Sequence, residues 1–387
     1  MQFATRGDRQ SPAILFFHAM GVTGASSEPV ARYLQQNYYC ILPTSSVYCA
    51  GQKYSSKADE LRQIEDFLHG QRIDRLALVV ASSIGQPWRR HFWRRPRCRW
   101  CRAKKSKISK RRLILVLLVL FAVWPNKRRD ALRAPFVGHN CAHRGYFGKD
   151  QRPPENSLPA FAAAAQNGYG IELDVQFTSD RRLVVFHDDT LDRMTPAKGF
   201  VHDMDWTDFS AQPLAGSNEH PPLFADMLRT VAETNPDTPL IVEIKSRAEY
   251  SKTYLEELCR ATIAELKAYP GPYCIESFDP RVVGIVRRQA PDILRGQLAD
   301  SYQSYRKDGT HAVPAFAFSH LFGNFLGRPD FIAWCPAKRN WAVKLNAALG
   351  AMMVMWTALP EHDTAKLEAE NDAVIFQWYA PKQKYRE

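Results

Sequence analysis

The sequence of 387 residues has little of what would place it outside the ordinary globular class. Its eight cysteines, at 40, 49, 98, 101, 141, 259, 274 and 335, are too scattered for a disulfide-stapled secreted domain, so the fold is expected to stand without bridges. Cys98 and Cys101 form a lone CxxC with no second pair beside it, which reads as two cysteines in a basic linker and not as a zinc site. No internal repeat is visible, and 45% hydrophobic with 24% charged residues excludes disorder as the default. The longest apolar run begins only at Leu113 and lacks a small-x-small exit, so a cleaved signal peptide is not expected.

The excess of basic charge is confined to one place. The formal net charge is +12, yet the segment from Trp88 to Arg133 holds seventeen Lys and Arg against one acid, Asp130. Without it the chain carries 35 basic and 39 acidic residues, so the folded parts are mildly acidic. That segment is expected to be solvated or to lie against an anionic surface. Its Trp88, Trp93 and Trp100 could stack bases, but Trp among Arg beside an apolar run fits a membrane interface better, and no nucleic acid is expected as partner.

Composition divides the chain into residues 1–87, a basic linker 88–112, an apolar run 113–124, and an alternating βα pattern over 135–387. The run, Leu113 to Trp124, is closed by Pro125 and flanked by Arg111-Arg112 and Lys127-Arg128-Arg129. Twelve residues at ~1.5 Å each reach about 18 Å, short of the ~30 Å hydrocarbon layer. Snorkelling Lys, Arg and Trp close part of the gap, and the run has no polar face, so a single-pass membrane anchor is expected. Thirteen basic residues precede the run and four follow, which puts the N-terminal segment in the cytoplasm and the C-terminal domain outside. The alternative is a buried helix of the following domain and a cytoplasmic chain.

Residues 1–87 resemble part of an α/β-hydrolase. Ala13 to Gly21 reads as a strand entering a glycine turn, and Leu76 to Gly85 as a strand ending in a small-x-Ser-x-Gly turn with Ser83 at the elbow. That fold places its acid and histidine after the serine, whereas this chain passes directly into Pro87-Trp88-Arg89-Arg90, so Ser83 is expected to be inert.

From Pro135 short apolar strands alternate with helix-like stretches: Phe136 to Ala142, Asn156 to Asn167, Tyr169 to Val175, Leu183 to Phe186, Leu240 to Ile244. Asn156 or Ser157 can cap the first helix and Gly168 stops it. The rhythm extends over about 250 residues, the size of one (β/α)8 TIM barrel, whose active site lies at strand C-termini. In Ile171-Glu172-Leu173-Asp174-Val175 the two-residue period sends both carboxylates to one face, and Glu243 and Lys245 share the inward face of their strand. Three inward carboxylates suit a hard divalent cation, Ca2+ or Mg2+. His143 and His187 end strands beside them. A phosphodiester needs a base, an acid and cations for the phosphoryl charge; the histidines could supply the first two, and the metal, Arg144 and Lys245 the last.

His143-Arg144-Gly145, Pro154-Glu155-Asn156-Ser157, Glu172-x-Asp174, the Leu183 to Asp188 strand, Val242-Glu243-Ile244-Lys245, Glu276-Ser277-Phe278-Asp279-Pro280 and Trp356-Thr357 occur in order and in register. Over about 136–380 the chain resembles the glycerophosphodiester phosphodiesterase family. The resemblance implies a TIM barrel that hydrolyses glycerophosphodiesters to sn-glycerol 3-phosphate and an alcohol, with the glycerol's own hydroxyl attacking first. It implies a metal on Glu172, Asp174 and Glu243, an acid/base pair at His143 and His187, and substrate contacts from Arg144, Lys245, Glu155, Asn156, Phe278 and Trp356. Departures are few: Ser157 stands where Thr is common, the residues after Trp356-Thr357 are apolar, and Gln377 stands where an acid is common. Other histidine-pair barrels of the phospholipase C or D kind, and an idle membrane-tethered binding module, are the alternatives. The Pro-Glu-Asn and Val-Glu-Ile-Lys motifs disfavour the former, and the intact catalytic positions disfavour the latter.

Overall fold

The computed structural model describes residues 1–17, 24–74, 76–81, 110–127 and 129–386. Ser83 and the CxxC pair lie outside them. Contacts divide the chain into two units, Met1–Ile114 and Leu115–Glu387.

In the first unit four strands, β1 (Gln2–Arg6), β2 (Ala13–Phe17), β3 (Tyr39–Thr44) and β4 (Leu76–Ala81), form one sheet in the order β1-β3-β2-β4. β2 pairs in parallel with β3 and β4, and β1 is antiparallel to β3. The helix Lys57–Gly70 sets Leu61, Ile64 and Leu68 against Leu15 and Ile41 of the sheet.

The second unit is a closed barrel of eight parallel strands: β5 (Asn140–His143), β6 (Gly170–Phe177), β8 (Leu240–Ile244), β9 (Tyr273–Ser277), β10 (Leu294–Ala299), β11 (Phe331–Trp334), β12 (Met352–Ala358) and β13 (Ala373–Phe376). β13 pairs with β5, and β5 with β6, so no edge remains. Ile171, Leu173 and Val175 point outward into the layer beneath the helices, with Phe161 and Leu258. Cys141, Ile241, Cys274, Phe331, Val354 and Ile375 fill the lower interior, and Phe136 enters it from below. Glycine at 296 is dictated by this filling, because a Cβ there would stand 2.0 Å from the Phe331 ring.

The segment Leu183 to Phe186 is not a barrel strand. β7 (Leu183–Val185) returns antiparallel along β6. Only a few residues separate the two, too few for the crossover that a parallel neighbour needs.

The expected membrane anchor is also overturned. Residues 110–123 form a helix of 14 residues, and no described helix is long and apolar enough to cross a membrane. At ~1.5 Å per residue it reaches about 21 Å. The far end of this helix is held by protein: the Val123 carbonyl accepts from Asn324 Nδ2 at 3.1 Å and Asn346 Nδ2 at 3.0 Å. Arg328 donates to the carbonyls of Phe121 and Trp124 and lies over the Phe121 ring. The extracytoplasmic placement of the barrel, which rested on the anchor, falls with it.

Below the barrel the chain then builds a floor. Asp330, fully buried, pairs with Arg129 and accepts from Asn126 Nδ2 at 2.8 Å and from the backbone of Arg295 at 3.1 Å. Arg133 donates to the carbonyls of Asp330 and Gly350.

Candidate active site

Polar residues gather at the opposite end, where the strand period turns them inward. Glu172 and Asp174 on β6 and Glu243 on β8 are buried, and their oxygens lie within 4.8 Å of one another, the one such group among the described residues. Glu276 on β9, in register with Glu243, adds a fourth buried carboxylate. Lys245 sits between, with Nζ 3.2 Å from both Asp174 and Glu243. Arg144 pairs with Glu155 at 2.7 Å and approaches Asp174 at 3.6 Å. Four carboxylates thus share two cations.

The electrostatics follow from that imbalance. Burial opposes charge on Asp174, but Lys245, His187 and Arg144 outweigh it and hold the carboxyl well below its ordinary range. Burial pushes Glu243 up to about 7 despite Lys245, and burial with the neighbouring carboxylates raises Glu172 and Glu276 well above theirs. These groups resist ionisation because too few cations lie beside them. A donor set of three buried carboxylate oxygens, short of positive charge, fits a hard divalent ion.

The loop after β5 is shaped by its backbone. Arg144 has φ of 58° and Asn156 of 54°, and Gly145 has φ of 86° with its Cα so near the next helix that a Cβ would stand 2.9 Å from Ala160. This turn aims Arg144 inward and brings its backbone N–H to Glu172 at 3.2 Å. Ser157 caps the helix Leu158–Gln166, which frees Asn156 to donate to Asp174 at 3.0 Å.

The two histidines are oriented from behind. His143 Nδ1 donates to Gln377 Oε1 at 2.5 Å, so Nε2, 3.7 Å from Glu172, presents a lone pair. Burial and Arg144 hold this imidazole down to about 3, against the pull of Gln377 and Asp174. His187 Nδ1 donates to Asp188 at 2.6 Å; burial and Lys245 lower its proton affinity, while Asp174 and Asp188 oppose them. Gln176, inward on β6, donates to the carbonyls of Phe186 and Asp188 and so fixes the return strand that carries His187. Arg193 bridges Glu155 and Asp188, at 2.6 Å to each. Together with Arg144, and in spite of burial, it keeps Glu155 down to about 2.

Phe278 and Trp356 meet edge to face at 5.3 Å across the mouth. The buried Trp356 indole N–H has no hydrogen-bond partner among the described residues. All the residues expected from the sequence therefore gather at one barrel end. Gln176 and Arg193 were missed, Asp188 and Glu276 stood in the quoted motifs without a role, and Gln377 was noticed only as a departure. Asp188 beside His187 and inward-facing Gln176 carried a usable signal in strand period; Arg193, in a loop, carried none.

Comparison with known proteins agrees with the geometry. The profile of the Glycerophosphoryl diester phosphodiesterase family matches residues 143–377. The chain is 29% identical over 247 residues to a glycerophosphodiester phosphodiesterase of Caldanaerobacter subterraneus subsp. tengcongensis, covering 60% of this chain and 91% of that protein. It is 40% identical over 178 residues to an uncharacterized Bacillus subtilis protein, covering 43% of this chain and 69% of the relative. In fold it is similar to an Oleispira antarctica phosphodiesterase solved with the product sn-glycerol 3-phosphate, with a TM-score of 0.50 and 22% identity over 63% of this chain and 94% of that one. With the family's profile matched across most of the barrel, from His143 to Gln377, the chain belongs to the glycerophosphoryl diester phosphodiesterase family and is a phosphodiester hydrolase.

Proposed function

We propose that the chain hydrolyses glycerophosphodiesters to sn-glycerol 3-phosphate and an alcohol, with His143 and His187 as the acid/base pair and a divalent cation, Ca2+ or Mg2+, on Glu172, Asp174 and Glu243. The observation that carries this reading is the cluster of three carboxylates within 4.8 Å, flanked by two oriented histidines. The cation supplies positive charge for the phosphoryl oxygens. Arg144 and Lys245 orient the phosphate, and Trp356 backs Phe278 at the mouth. His143, neutral at ordinary pH, takes the proton of the attacking hydroxyl at Nε2. His187 gives a proton to the leaving alcohol oxygen; the incoming phosphate charge adds to Asp188 in favouring the protonated ring. Water, deprotonated by His187 while His143 returns its proton to the glycerol oxygen, then opens the cyclic phosphodiester to glycerol 3-phosphate. Glu155, Asn156 and Phe278 shape the loop and wall that receive the substrate.

Release of glycerol 3-phosphate from glycerophosphocholine is the direct test. It is expected with added Ca2+ or Mg2+ and abolished by chelator after prolonged dialysis, while calorimetry detects one divalent ion bound per chain. Full turnover in chelator, or no ion bound, would remove the metal from this reading.

A further inference from the structure

A cleft of about 700 Å³ leads outward from His187, Glu243 and Lys245 over the ends of β8, β9 and β10. Glycerol 3-phosphate, with about ten heavy atoms at no more than ~30 Å³ each, fills less than half of it. The outer arm is walled by Ala248, Phe278, Pro280, Tyr305 and Phe318. Tyr305 and Phe318 come from the connection between β10 and β11, where their rings stand 5.9 Å apart. Phe278 faces the arm with Trp356 behind it.

The charged groups of the arm are already matched. Arg247 pairs with Asp189 and Glu249, and Arg281 with Asp279. Neither guanidinium calls for an anionic headgroup. What stays open to solvent is apolar: apart from its contact with Tyr305, Phe318 is 42% exposed, on a helix, Ala312–Ser319, whose Val313 is 80% and Phe316 46% exposed. Apolar surface left open beside a catalytic cleft marks a place for apolar ligand.

Resting on the function proposed above, in which His187 protonates the leaving oxygen, we infer that this arm receives the leaving alcohol and that the alcohol carries a long aliphatic chain. Phe318 and Tyr305 would then be specificity-determining residues that act on the chain and not on the phosphate.

The test is kcat/KM for the methyl, butyl and octyl esters of sn-glycerol 3-phosphate, each below its critical micelle concentration and with the divalent ion present. The expected result is a rise of roughly tenfold or more from methyl to octyl, the scale on which a pocket reads added methylenes. Phe318→Ser should flatten that ratio and Phe318→Leu should retain it, with melting curves confirming that both variants fold. Equal rates for methyl and octyl, or a preference that appears only above the micelle concentration, would overturn the inference and leave the proposed function standing. Failure to cleave any ester would overturn both.

Discussion

The two ends of the barrel handle buried charge in opposite ways. At the floor one carboxylate, Asp330, is surrounded by Arg129, Arg295 and Asn126. At the mouth four carboxylates share Arg144 and Lys245, and Glu172, Glu243 and Glu276 are left with raised proton affinities. The floor carries its charge complete and serves stability. The mouth is short of positive charge, and the function proposed above would supply it with a cation.

Substitutions at the two ends should therefore fail differently. At the mouth, His143→Ala and His187→Ala are expected to keep the melting temperature and lose about 10^2-fold or more in kcat/KM, the scale of acid or base assistance. Near wild-type turnover by either variant would remove that residue from the chemistry. At the floor, Asp330→Ala leaves Arg295 and Arg129 without their partner and is expected to cost about 3 kcal/mol or more in denaturant unfolding, with turnover by the folded fraction unchanged. Equal loss of activity and stability would erase the contrast. The smallest effect is on metal affinity. With Glu243 taking up a proton at about 7, cation and proton compete, so affinity should fall as pH drops from 8 to 6. Glu243→Gln should bind more weakly and lose most of that dependence. A flat affinity profile in the unsubstituted chain would mean that Glu243 does not ligate.

Much of the mouth was legible because strand period is local: once Glu172 and Asp174 share a face, and Glu243 shares one with Lys245, closure of the sheet brings them together. What was illegible depended on partners far along the chain. Arg193 reaches Glu155 only through loop geometry, and Glu276 acquires its meaning from register with Glu243. β7 is a strand, as its apolar pattern predicts, but that pattern does not show the direction in which it pairs. The apolar run was misread as an anchor because its composition outweighed its length: no described helix is long and apolar enough to cross a membrane, and Asn324 and Asn346, some two hundred residues on, hold its end.

The hold on the Val123 carbonyl matters for anyone who would dissect this gene. A fragment begun at Pro135, where the βα alternation starts, would strip the amides of Asn324 and Asn346 of their common acceptor and Asp330 of Arg129 and Asn126. Such a cut would leave the floor with fewer of its polar partners. The useful starting point for an expressed catalytic fragment lies upstream, at the beginning of the helix Lys110–Val123, so that the stretch resembling a tether travels with the enzyme as part of its foundation.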